Sequence, residues 1–182
     1  MKNKKIHIGI LVCSILWVVA CSTMNRSRIE SRSSTTDGAH IAVLDFVQNG
    51  FFNGEKLGPF AADELTAALF IQRRLRVKDR AQVKANMAEQ RISPSQFSTN
   101  EIKEFGQTLG ADFLILGEIT RLDGLSVDTE NDGRMSIQIM FRIVSSEDGD
   151  VIGIVTRRGS QKTESKKIVS EMIGKMAGSV RL

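Results

Sequence analysis

"IAVLDFV", residues 41 to 47, is apolar at every position but one. Successive side chains of a strand point to opposite sides of a sheet, so a strand with one wet face alternates. A strand without that alternation needs cover on both faces. The chain is thereby committed to a layered architecture with helices packed on a sheet. "ADFLILGEITRL" (111 to 122) repeats the pattern and predicts a second buried strand.

The segments between and after these two runs supply the rest. After a glycine-bearing loop, Pro59 suits a first helical turn, and Phe60, Ala61, Leu65, Ala68 and Leu69 recur at helical spacing through Gln72. "RLRVKD" (74 to 79) alternates as an edge strand does, with Arg74, Arg76 and Lys78 on the wet side. Asp79 can cap a helix through Gln90 that presents Val83 and Met87. Ser98 and Glu101 form a capping box before Ile102, Phe105 and Leu109, a helix that Gly110 ends.

"MSIQIMFRIVS" (135 to 145) places Met135, Ile137, Ile139, Phe141 and Ile143 on one face. An Asp-Gly turn then returns "VIGIVTRRG" as its antiparallel partner. Thr163 can cap a last helix burying Ile168, Val169, Met172, Ile173 and Met176, whose methionines read as core filler. The expected class is α/β (α+β), with about five strands in a mixed sheet. The order along the chain is β-α-β-α-α-β-β-β-α, with a C-terminal antiparallel hairpin followed by a helix.

The first twenty residues are a secretory leader: Lys2, Lys4 and Lys5 precede an apolar stretch from Ile6 to Ala20. That stretch is short for a permanent span, which needs about 20 residues. Val18, Val19, Ala20 and Cys21 resemble a bacterial lipobox, in which the leader is cut before an acylated cysteine. Cys21 is therefore the expected lipid attachment, and the anchor is the lipid. Ser22 lacks the aspartate that retains such lipoproteins in the inner membrane of enteric bacteria, which favours the outer membrane. The expected organisation is a leader over 1–20, an acylated cysteine and tether over 21–38, and one folded domain over 39–182.

Charge and cysteine content then exclude several functions. The chain holds 25 basic and 21 acidic residues. The leader takes three lysines, and the tether takes Arg26, Arg28 and Arg32 against Glu30 and Asp37. That leaves a neutral domain with 19 residues of each sign, so nucleic acid is not an expected partner. Cys13 and His7 leave with the leader. The mature chain keeps one acylated cysteine and one histidine, His40, so neither a disulfide nor a thiolate metal site can form within it.

The segment "VKDRAQVKANMAEQRISPSQFSTNEIKEFGQTLGADFLILGEIT" resembles the periplasmic domain of the curli secretion-channel (CsgG-like) lipoprotein family. The opening "IAVLDF" strand and the turn in "SSEDGDVI" add to the likeness. Asp79 and Arg80 stand where that family usually has Glu-Arg. Its wider circle holds penicillin-binding-protein activator lipoproteins, flagellar-motility lipoproteins and the amino-terminal domain of the Tol translocation protein. The resemblance covers about 140 residues and implies a binding domain with no cofactor, engaged in envelope assembly or secretion. It departs from the channels at "LDGLSVDTENDGR" (122 to 134), too short and acidic for a barrel hairpin, whose strands need about 9 to 11 residues each. The seventeen-residue tether, which reaches about 56 Å when extended, weighs against an activator that must cross the cell-wall mesh.

Within the domain, four constellations bear on chemistry. Asp128, Glu130 and Asp132 have the spacing that opens a calcium loop, but the twelfth position is Ile139 where a bidentate Glu belongs, so no metal is expected. "RRLRVKDR" (73 to 80) is basic, without aromatics for base stacking, and reads as a solvated edge, with contact to anionic lipid or wall glycans as the second reading. Phe51 and Phe52 lie between two Asn-Gly pairs, either tucked under the following helix or exposed as an interface with another subunit of a homo-oligomer. Asp45 and Glu118 interrupt apolar strands. They are an acid-base pair if they meet, or a salt bridge if a base such as Arg80 takes one of them. With no nucleophile-base set, the leading expectation is a lipid-anchored, non-enzymatic binding protein whose envelope protein partner is unknown.

Overall fold

The computed structural model describes residues 38–90, 97–122, 135–162 and 164–182. Ten elements follow one another: β1 (His40–Val43), β2 (Val47–Asn49), α1 (Leu57–Arg73), β3 (Arg76–Val77), α2 (Arg80–Gln90), α3 (Thr99–Leu109), β4 (Phe113–Arg121), β5 (Met135–Ser145), β6 (Val151–Gln161) and α4 (Ser165–Ala177). The sheet runs β3-β1-β4-β5-β6, with β2 also paired to β4. β1 is parallel to β3 and β4, whereas β4, β5 and β6 are antiparallel. The mixed sheet and the closing hairpin-helix unit agree with the expected class, with one strand more.

The extra strand comes from a break in the run 41–47. Val43 pairs with Ile115 but Val47 pairs with Glu118, so four steps of the first chain oppose three of β4. One surplus residue in a ladder is a bulge, and it exchanges the faces to which following side chains point. Ile41 and Val43 face one core, Ala42 and Leu44 the other, and beyond the bulge Phe46 returns to the first core. The single strand expected over 41–47 is thus two, because Asp45 cannot occupy a dry ladder position without a partner.

Helices cover both faces of β1 and β4. On one side Leu57, Ala61, Leu65 and Leu69 of α1 pack with Ile168, Val169, Met172, Ile173 and Met176 of α4. On the other, Val83 and Met87 of α2 pack with Ile102, Phe105 and Leu109 of α3. The second layer stops at β4 and Val144, which leaves β5 and β6 the clean alternation of a half-wet hairpin. Gly117 of β4 makes room for the Phe46 ring: a Cβ there would lie 2.5 Å from three ring atoms.

Local signals place the helix ends. Asp79 Oδ1 accepts from the backbone N–H groups of Ala81 and Gln82, at 2.7 and 3.3 Å. Ser98 and Glu101 form the reciprocal capping box, and Gly110 closes α3 at φ +57°. Gly149 turns the hairpin at φ +80°. Thr163 lies outside the described residues, and the N-cap of α4 is Glu164, without a side-chain cap bond.

Candidate binding surface

The loop after β2 separates the two phenylalanines. Phe52 is 2% exposed and joins the first core, whereas Phe51 is 73% exposed. The loop is held on several sides. Asn53 and Gly54 both have positive φ, and Glu55 N–H closes a turn on the Phe52 carbonyl at 2.9 Å. The Gln48 side chain donates to the Glu55 carbonyl and accepts from Leu57 N–H, at 2.9 and 3.0 Å. Arg121 Nη1 donates to the Phe51 carbonyl at 2.7 Å. A fixed backbone therefore presents the Phe51 ring to solvent, while Phe52 takes the tucked position that was one of the two expectations.

Asp45 and Glu118 are not joined by a hydrogen bond or an ion pair. The Asp45 carboxylate takes Arg80 Nη2 in a close ion pair, and Arg80 Nη1 donates to the Val43 carbonyl at 2.6 Å. Arg80 Nε reaches Asp63 of α1 at 2.9 Å, with Lys84 also at Asp63, 3.3 Å away. Burial acts to raise the Asp63 carboxyl, but the hydrogen bonds and charges of Arg80 and Lys84 outweigh it and hold it below its usual range. Glu118, half-buried, stands opposite Val47 of β2 and Met140 of β5. The salt-bridge alternative describes Asp45, and the arrangement clamps β1, the bulge, α1 and α2 together.

At the other end of the sheet, His40 N–H donates to Asp112 Oδ2 at 2.7 Å, and its ring Nδ1 is 3.9 Å from the same oxygen. The basic segment divides. Arg80 is largely covered in its clamp, its side chain 11% exposed, while Arg73, Arg74 and Arg76 are exposed and β3 is the edge strand. Beside them the structure adds two residues that sequence reasoning passed over, Phe70 and Ile71. The available signal was their place off the Ala61, Leu65, Leu69 stripe of α1.

Cys21 and the acidic stretch at Asp128, Glu130 and Asp132 lie outside the described residues. Among the described residues no cluster of His, Cys, Asp or Glu has the makings of a metal site. Within the same residues no helix is long and apolar enough to cross a membrane.

A family model described as peptidoglycan-synthase activator LpoB matches residues 60–153. No curated protein sequence matches the chain. Solved structures share its fold. The PelC dodecamer from Paraburkholderia phytofirmans is 13% identical, with a TM-score of 0.55 over 86% of this chain and 99% of that one. Lipoprotein GNA1162 from Neisseria meningitidis is 16% identical, with a TM-score of 0.51 over 78% of this chain and 96% of that one. The LpoB C-terminal domain from Escherichia coli is 15% identical, covers 72% and 88% of the two chains, and at a TM-score of 0.46 carries no weight of its own.

The match falls on the activators of the wider circle and does not support the curli channels as nearest kin. The residues that suggested the channels, from the Asp79 cap to the buried Phe113–Gly117 stretch, are those that build the shared sheet and its caps. They report the fold and do not separate its branches.

Proposed function

The chain belongs to the peptidoglycan-synthase activator LpoB family, and on that premise we propose that it is a non-enzymatic lipoprotein that binds and activates a peptidoglycan synthase. It does so from a lipid on Cys21, at the periplasmic face of the outer membrane. The observation that carries this reading is the family match over residues 60–153, from the start of α1 into β6. The engagement of Asp45 by Arg80 supports a binding role, because it removes one member of the carboxylate pair that an enzyme would need.

Phe51 is the proposed contact. It sits on a braced loop at the end of the sheet opposite the point where the chain enters β1, the end of the domain farther from the tether. The seventeen residues from Ser22 to Gly38 can span at most about 56 Å, and α1 sets Phe51 about 25 Å beyond the tether junction, so the synthase must bring its docking site within the sum of the two from the outer membrane. The short reach weighed against an activator in the sequence, and the family match outweighs it.

The test measures glycan-strand synthesis by the synthase of the same cells, with and without the acylated chain. The rate is expected to rise on addition, Phe51→Ser is expected to weaken the effect, and the chain alone is expected to make no glycan. A synthase that neither crosslinks to the chain in cells nor changes its rate would refute the proposal.

A further inference from the structure

The place where the tether joins the domain has a chemistry of its own. His40 pairs with Arg76 in the β1–β3 register, and a Cβ on Gly38 would lie 3.9 Å from Arg76 Nη1. The chain therefore enters against β3, just beyond the last turn of α1. That turn carries Phe70, 66% exposed, and Ile71, 72% exposed. Arg74 follows as the residue that ends α1, at φ +54°, and Arg73, Arg74 and Arg76 are all exposed.

Among the described residues none of these three guanidinium groups makes an ion pair, in contrast to Arg80, which is fully engaged. Asp112, at the start of β4 on the far side of β1 from β3, accepts from His40 N–H at 2.7 Å.

We infer that Phe70, Ile71, Arg73, Arg74 and Arg76 form a docking surface for an anionic phospholipid bilayer, the one to which Cys21 tethers the chain; the inference rests on the lipid-anchor part of the proposed function. Guanidinium groups pair with phosphate oxygens in a two-pronged geometry, and exposed aromatic and aliphatic side chains sink into the boundary between headgroups and acyl chains. A wall glycan offers the arginines partners but gives Phe70 and Ile71 nothing apolar to enter. A second copy meeting the patch about a two-fold axis brings three arginines against three. Docking fixes the domain's orientation: α1 runs from the Phe51 end to this end and spans about 25 Å, which holds Phe51 that far out from the lipid.

Trp17 leaves with the leader, so a processed Phe70→Trp chain carries one tryptophan, at the patch. The acylated protein is reconstituted into vesicles of equal parts phosphatidylglycerol and phosphatidylcholine with brominated acyl chains. The expected result is a blue-shifted emission quenched by bromine, weaker in pure phosphatidylcholine. Adding Arg73→Ala, Arg74→Ala and Arg76→Ala should lower the docked-to-undocked ratio on the order of 100-fold, about five-fold for each arginine. Chain that floats with the vesicles while its tryptophan stays water-exposed overturns docking and leaves the anchor standing. Failure to float with the vesicles overturns anchor and docking together. A blue shift without bromine quenching that grows with protein density overturns docking in favour of contact between copies.

Discussion

Arg80 and Asp45, thirty-five residues apart in the chain, meet where the first strand breaks. The guanidinium on the first turn of α2 serves the Asp45 carboxylate, the Val43 carbonyl and the Asp63 carboxylate with three different nitrogens. Only a planar fork can hold three acceptors in fixed directions. The bulge at residues 44 to 46 therefore satisfies an acid that a continuous ladder would leave stranded between two apolar layers.

Arg80→Ala leaves Asp45 and the Val43 carbonyl half-buried without their donor and is expected to cost about 2–4 kcal/mol in urea unfolding. Arg80→Lys should fall between wild type and alanine, because one ammonium cannot reach three acceptors on a strand, its bulge and a helix. A shift below about 0.5 kcal/mol for the alanine variant would show that the clamp is not structural.

The capping signals at Asp79, Ser98 and Gly110, and the alternation of 135–145, determined their elements directly, because each works through residues within four positions of itself. The bulge was hidden, since it depends on the offset between Val43–Ile115 and Val47–Glu118, a relation between strands some seventy residues apart. The site was half visible for the same reason. Phe51 and Phe52 stood out as neighbours, but only the turn at Asn53 and Gly54 decides which ring goes inside. Phe70 and Ile71 fit the helical run but lie off the Ala61, Leu65, Leu69 stripe of α1, and no pattern within the helix shows that this side stays uncovered.

Acid should weaken the fold through several carboxylates at once. Asp63 is held low because Arg80 and Lys84 outweigh its desolvation. Glu101 is lowered by the Ser98 hydroxyl and backbone, Asp148 by the Asp150 backbone and the Ser145 hydroxyl, and Glu171 by Lys175 and Gln161. Each native carboxyl titrates below its unfolded value, so the unfolded chain binds more protons in acid. The stabilisation is present above an ordinary carboxylate pKa of about 4 and is lost as pH falls through the lower native values. Thermal melts from neutral pH downward should show Tm falling below about pH 4–5, and the gap between wild type and Asp63→Asn should close over the same interval. A gap that is constant with pH would remove Asp63 from the account.

Gly117→Ala puts a methyl into the Phe46 ring, a core side chain 4% exposed that cannot swing into solvent without opening the bulge. The expected cost is about 1–3 kcal/mol. Pairing it with Phe46→Leu should recover part of that loss, since the smaller side chain vacates the volume. Additive losses in the double variant would mean the two residues do not share that space.

Phe51 and Phe52 offer the sharpest separation of stability from binding, because adjacent identical residues have opposite environments. Phe52→Ala removes a buried ring from the core shared with Leu57 and is expected to cost about 3–5 kcal/mol. Phe51→Ala removes a ring that meets mainly water and should change stability by less than about 0.5 kcal/mol. Because the Arg121 bond to residue 51 uses the backbone carbonyl, the loop keeps its brace in the variant. Affinity for the synthase should nevertheless fall, on the order of 10- to 30-fold if the ring is a central contact, measured by titration of the folded Phe51→Ala chain. If that chain stays fully folded and binds the synthase as tightly as wild type, the contact lies elsewhere on the domain.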